Sequence, residues 1–245
     1  MYQNKFLEYL SVERHASQHT IIAYTNDLQQ FTDFMAADYE QTNLALVEGK
    51  QVRAWIVHLL NNDKTPRTVR RKLATLKSFY RYLRSRAIID KDPMLKVIAP
   101  KMGKRLPNFV QEDKMNVLLD EIDFPNTYSG HRNRLILELF YMTGMRRSEL
   151  IQLQEKNIDY ANAILKISGK GGKQRILPLT KDLPERLRQF SVLKKETFPK
   201  SDHPELFYTD KGKPLYPKLV YNIVHRYLSQ VTTIEQRSPH TIRHS

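Results

Sequence analysis

Four side chains suited to one chemistry follow each other along this chain: an arginine, a lysine, a histidine and a second arginine. Arg146 stands in Thr143-Gly144-Met145-Arg146-Arg147-Ser148-Glu149-Leu150, beyond a glycine placed to end a helix in a left-handed conformation. Lys170 stands in Ser168-Gly169-Lys170-Gly171-Gly172-Lys173, and His240 and Arg243 in Ser238-Pro239-His240-Thr241-Ile242-Arg243-His244-Ser245. A guanidinium fork holds two non-bridging phosphate oxygens at once, which an ammonium cannot do. An imidazole moves protons near neutral pH. The set suits a phosphate that gains charge in a pentavalent state, where fixed donors contribute most.

Their local settings agree with that chemistry. Arg146 falls near the start of a helix, where unpaired N–H groups favour an anion. Two other readings stand beside this one: an ion pair from Arg146 to Glu149, and Arg147 in its place. Ser238 can cap a helix with Pro239 at its first position, so His240 lies in the first turn and Arg243 returns to the same face. The glycines around Lys170 lack the Ser/Thr and the following helix of a nucleotide-binding loop, because a strand-like run comes next. Lys173 and Arg175 read as phosphate contacts. The other histidines, His15, His19, His58, His131, His203 and His225, show no shared ligand spacing, and there is no cysteine, so no metal site and no disulfide are expected.

Helices must position these groups. Ser17 opens one with Ile21, Tyr24, Leu28, Phe31 and Met35 along one face. Another fits Lys50 to Leu60. Thr65 and Pro66 begin a third, whose buried stripe is Val69, Leu73, Leu76, Tyr80 and Leu83. Its other faces carry Arg67, Arg70, Arg71, Lys72, Lys77 and Arg81, with no acidic residue between Lys64 and Arg86. A solvated helix mixes signs, because like charges at i,i+4 repel. A one-sign face predicts a surface for a phosphate backbone. Prolines and basic residues then mark residues 91–107 as a linker. Beyond it the sequence predicts helices over Gln111 to Ile122, Leu135 to Met142, Asp182 to Leu193 and Lys218 to Val231. A hairpin is predicted from alternation around Ile164 to Ser168 and Arg175 to Leu179.

The net charge of +14 and pI near 9.8 favour a polyanionic partner, duplex DNA above all. The first residues are too polar for a signal peptide, and no apolar run reaches the ~20 residues of a membrane helix. A cytoplasmic, nucleoid-associated protein with no membrane partner is the expectation.

The segments around Arg146, Lys170 and His240 resemble the Arg, Lys and His-x-x-Arg motifs of the tyrosine recombinases, the lambda-integrase family, most closely its Xer-type members. Thr-Gly-x-Arg-x-Ser-Glu-Leu is met at Thr143 to Leu150, Gly-Lys-Gly at Gly169 to Gly171 and His-x-x-Arg-His at His240 to His244. Ser17, Thr20, Tyr24, Asp27, Leu28 and Phe31 are similar to the family's core-binding signature, so the resemblance covers nearly the whole chain. It implies a mainly α fold with a small β-hairpin in two domains that clamp DNA. These are a helical core-binding domain over 1–90 and an α+β catalytic domain over 108–245, joined by the basic linker. It selects Arg146 over Arg147, with Glu149 orienting the catalytic side chains. It also implies that a mobile hairpin carries Lys170 to the departing 5′ oxygen.

The implied reaction is site-specific recombination through a 3′-phosphotyrosyl intermediate, which stores the phosphodiester energy and needs no cofactor. Chromosome dimer resolution and integration or inversion by a mobile element both fit. Four protomers, of one kind or two, would act on two duplexes. The family's nucleophile follows His-x-x-Arg-His, whereas the last tyrosine here, Tyr227, precedes it. A C-terminally truncated recombinase is therefore expected, monomeric and able to bind DNA without cutting it. A non-catalytic protein occupying recombination sites is the alternative. A type IB topoisomerase shares the chemistry, but the core-binding signature weighs against it.

Overall fold

Hydroxyl caps start the long helices. The Ser17 and Thr65 side chains accept from the backbone N–H of Thr20 and Thr68, satisfying donors that a helix start leaves unpaired. The computed structural model describes residues 2–103, 109–168, 174–180, 182–235 and 237–243. The chain divides into two units, Met1–Arg105 and Leu106–Ser245, each with its own core.

The first unit is helical: α1 (Tyr2–Val12), α2 (Gln18–Tyr39), α3 (Gly49–Asn61) and α4 (Pro66–Ser85). Aromatic side chains fill it. Phe6 of α1 meets Phe79 of α4 edge-on at 5.4 Å, and Phe31 of α2 meets Trp55 of α3 at 4.8 Å. Burying each such ring contributes roughly 1.5–3 kcal/mol. The segment anticipated as a linker begins inside this unit, since Met94 and Val97 are buried in its core. Gly49 permits that docking, because a Cβ there would stand 2.9 Å from the carbonyl oxygen of Pro93.

The second unit comprises α5 (Glu112–Asp120), α6 (Tyr128–Thr143), α7 (Arg147–Ile151), β1 (Ile158–Asp159), β2 (Ile164–Ser168), β3 (Gln174–Pro178), α8 (Leu183–Thr197), α9 (Pro217–Val231) and α10 (Pro239–Arg243). The anticipated hairpin is two strands of a three-stranded antiparallel sheet in the order β1-β2-β3. β1 went unread because two residues carry no period. Helix α6 starts well before Leu135: Thr127 caps it, and its first turn presses on Pro125. No helix among the described residues is long and apolar enough to cross a membrane.

Candidate functional site

Helix α6 ends at Gly144 with φ +56°, a left-handed turn that an L side chain rarely adopts. The chain then re-enters helix at α7 with Arg146 as its N-cap residue. Three residues on, the buried Glu149 reaches back, and its Oε2 accepts from the Arg146 backbone N–H at 2.6 Å. Its Oε1 accepts from Nη1 of Arg146 at 2.9 Å, while the Arg146 side chain stays half exposed. The ion pair and the anion-facing role thus coexist, because one bond occupies only one of five guanidinium donors.

Arg175, expected as a phosphate contact, lies on β3. It stands across from Ile167 in the β2–β3 register, so it shares the inward face with the buried Leu165 and Ile167. Ile176, its apolar neighbour, is exposed. From that inward position both terminal nitrogens of Arg175 close on Glu149, Nη1 to Oε1 at 2.9 Å and Nη2 to Oε2 at 2.8 Å. Its fork therefore serves a carboxylate, with the side chain one-third exposed. Burial alone would raise the Glu149 carboxyl, but the bonds from the Arg146 backbone, Arg175 and the Arg146 side chain outweigh it and hold the carboxyl below its ordinary range.

Helix α10 packs against α6 and α9. The aliphatic stem of Arg243 lies beside the turn that precedes Arg146, where a Cβ on Gly144 would sit 3.8 Å from its Cγ. His240, in the first turn of α10, is exposed, and Arg243 is half-buried. Lys170 and Lys173 lie outside the described residues, as does His244. Tyr227 is buried and stacked on Phe124 at 4.7 Å. Tyr221 is half-buried, with the ammonium of Lys218 over its ring and the ring of His225 stacked near it. Among the described residues no group of three or more His, Cys, Asp or Glu could hold a metal ion.

In the first unit, Arg67, Arg70, Lys77 and Arg81 line the exposed face of α4. Arg70 also donates to the Pro100 carbonyl at 3.3 Å. One neighbour, Lys72, departs from the predicted phosphate-binding row, whereas Arg71 is exposed on it while also paired. Lys72 is 4% exposed and bonds to Asp27 at 2.9 Å, with Gln30 as a further partner. Arg71 closes both terminal nitrogens on the same carboxylate at 2.6 and 2.8 Å, and Thr75 donates to it at 2.8 Å. Asp27, 1% exposed on α2, explains the burial of Lys72: a buried charge must be paired, and these cations pair it. Burial would raise its carboxyl, but the bonds from Arg71, Lys72 and Thr75 hold it below the ordinary value. The sequence reading missed this anchor because Asp27 and its partners belong to different helices.

Comparison with known proteins bears on both units. Residues 4–87 match the Phage integrase N-terminal SAM-like domain, and residues 108–245 match the Phage integrase family. The chain is 33% identical to tyrosine recombinase XerC of Chlorobaculum parvum, over 98% of this chain and 79% of that protein. It is 29% identical to tyrosine recombinase XerD of Staphylococcus aureus, over 98% of this chain and 81% of that protein. In fold it is similar to the XerH site-specific recombinase bound to palindromic difH substrate in a post-cleavage complex. That likeness has a TM-score of 0.74 at 21% identity, over 99% of this chain and 72% of the other.

Proposed function

The chain belongs to the phage integrase family, as an Xer-type tyrosine recombinase, and on that premise we propose how its own residues serve DNA strand exchange. Arg146 and Arg243 clamp the non-bridging oxygens of a scissile phosphate, and His240 moves a proton at the same centre. Lys170 protonates the 5′ oxygen as it leaves. A tyrosine becomes linked to the 3′ phosphate, and the 5′-hydroxyl of a second strand reverses the step. The observation that carries this reading is the docking of α10 beside Gly144, which puts the stem of Arg243 against the turn that delivers Arg146.

The exposed row Arg67, Arg70, Lys77 and Arg81 holds the backbone of the same duplex. The nucleophile is none of the thirteen tyrosines in this sequence. Every one precedes the His-x-x-Arg segment, and Tyr227, the last of them, is packed into the core. These 245 residues then bind duplex DNA without cutting it, whereas the complete reaction engages four protomers.

The test uses a nicked suicide duplex carrying the site that this protein protects on genomic DNA. Salt-sensitive binding with no protein-linked DNA after denaturation is the expected result. A covalent band mapped to any of the thirteen tyrosines would overturn the nucleophile assignment. Binding that ignores salt would overturn the backbone contact.

A further inference from the structure

We propose that Arg175 is a positioning residue for Arg146, acting through Glu149, whose carboxylate it holds in place. The inference rests on the reading of Arg146 as a phosphate clamp and adds a residue to it.

The geometry is a carboxylate shared by two arginines. Each Glu149 oxygen takes one bond from Arg175 and one from Arg146: Oε1 from the two Nη1 atoms at 2.9 Å each, and Oε2 from Arg175 Nη2 at 2.8 Å and the Arg146 backbone N–H at 2.6 Å. A carboxylate prefers a side-on, two-bond embrace with a guanidinium. Here Arg175 takes that embrace, so Arg146 receives one side-chain bond and one backbone bond. The half-exposed fork of Arg146 keeps its other donors for a ligand. Without Arg175, the buried carboxylate would have Arg146 as its remaining cation. With the two bonds that fix its plane gone, it holds Arg146 less firmly and the fork swings free. That change removes a preset phosphate clamp.

Strand alternation explains why this arginine is available. Arg175 faces inward in the register with Ile167, and its side chain is one-third exposed at the rim of the sheet. A lysine there would keep the charge but could not present two parallel donors. Arg175→Lys therefore separates positioning from simple charge.

The experiment labels arginine side chains in the 245-residue protein and follows the Arg146 Nε–H signal by NMR. Its order is read first without ligand and then in titration with inorganic phosphate. Arg175→Lys and Arg175→Gln should both lower the order of Arg146 while leaving that of Arg132, a buried arginine elsewhere in the unit, unchanged. Both should also weaken the phosphate response at Arg146 by about two- to tenfold, as expected for coupled neighbours. Glu149→Gln combined with Arg175→Lys should cost less than the sum of the two. Should Arg175→Gln not fold, Arg175→Lys carries the test alone. An Arg146 signal in Arg175→Lys with wild-type order and phosphate response would overturn the proposal. A wild-type Arg146 that ignores phosphate would instead overturn the clamp reading, while a loss of order in the variants would still support the positioning role.

Discussion

Asp27 is a single buried carboxylate that takes four bonds from α4, two from Arg71 and one each from Lys72 and Thr75. Removing it strands Lys72, 4% exposed, without its counter-charge. Asp27→Ala should therefore cost about 3–5 kcal/mol, measured by urea unfolding. The acid limb of stability should change as well. Asp27 and Glu149 titrate below their ordinary values of 3.8 and 4.5, so on acidification the unfolded chain takes up the protons first. Their contribution is complete above those values and is lost as pH falls through the folded ones. Glu138 runs the other way: burial lifts its carboxyl against the pull of Arg186 and Arg134, so its contribution is present at low pH and fades as pH rises. Melting temperature followed from about pH 5 downward should fall in the wild type and fall less in Asp27→Asn. Equal acid limbs would remove Asp27 from this account. Asp27 was visible in the sequence only as part of a signature. Its partners lie 44 to 48 residues away on another helix, a separation that helical period cannot bridge.

At the scale of the element, α4 shows what periodicity can and cannot tell. The recurrence of Val69, Leu73, Leu76, Tyr80 and Leu83 marked the buried stripe, and all five are buried. It could not sort the cations around that stripe, because a flanking position faces either solvent or a neighbouring helix. Arg70, Lys77 and Arg81 face solvent, whereas Lys72 faces α2. Replacing Arg70, Lys77 and Arg81 with alanine should weaken duplex binding and reduce the salt slope by roughly 0.9 for each lost phosphate contact. Stability should stay within about 0.5 kcal/mol, as for surface substitutions. Lys72→Ala should do the reverse, lowering stability with little change in slope. Fluorescence anisotropy across a salt series and urea unfolding together check both; an unchanged slope in the triple variant would return this face to ordinary solvation. The same limit applied to β3, where alternation was legible but its phase was not. Arg175 faces inward and Ile176 outward because Glu149, on α7, needs a counter-charge, and composition gave no sign of that need.

The whole molecule has two self-contained cores. Every residue of the first lies between Phe6 and Val97, and every residue of the second between Val110 and Ile242. The sequence pointed to this through its change from purely helical periods to mixed ones and through the basic, proline-bearing stretch between them. It did not show that Met94 and Val97, within that stretch, complete the first core, since two apolar residues in a loop look the same docked or free. Domains with separate cores unfold as separate cooperative units. Calorimetry of the intact chain should therefore resolve two transitions. Leu76→Ala, in α4, and Leu137→Ala, in α6, each remove a fully buried side chain from one core, so each should cost about 2–5 kcal/mol. The first should lower one transition and leave the other in place, and the second should do the converse. A shift of both transitions by either substitution would mean that the cores share their stability. Strictly separate shifts would leave each unit free to meet DNA with its fold already formed.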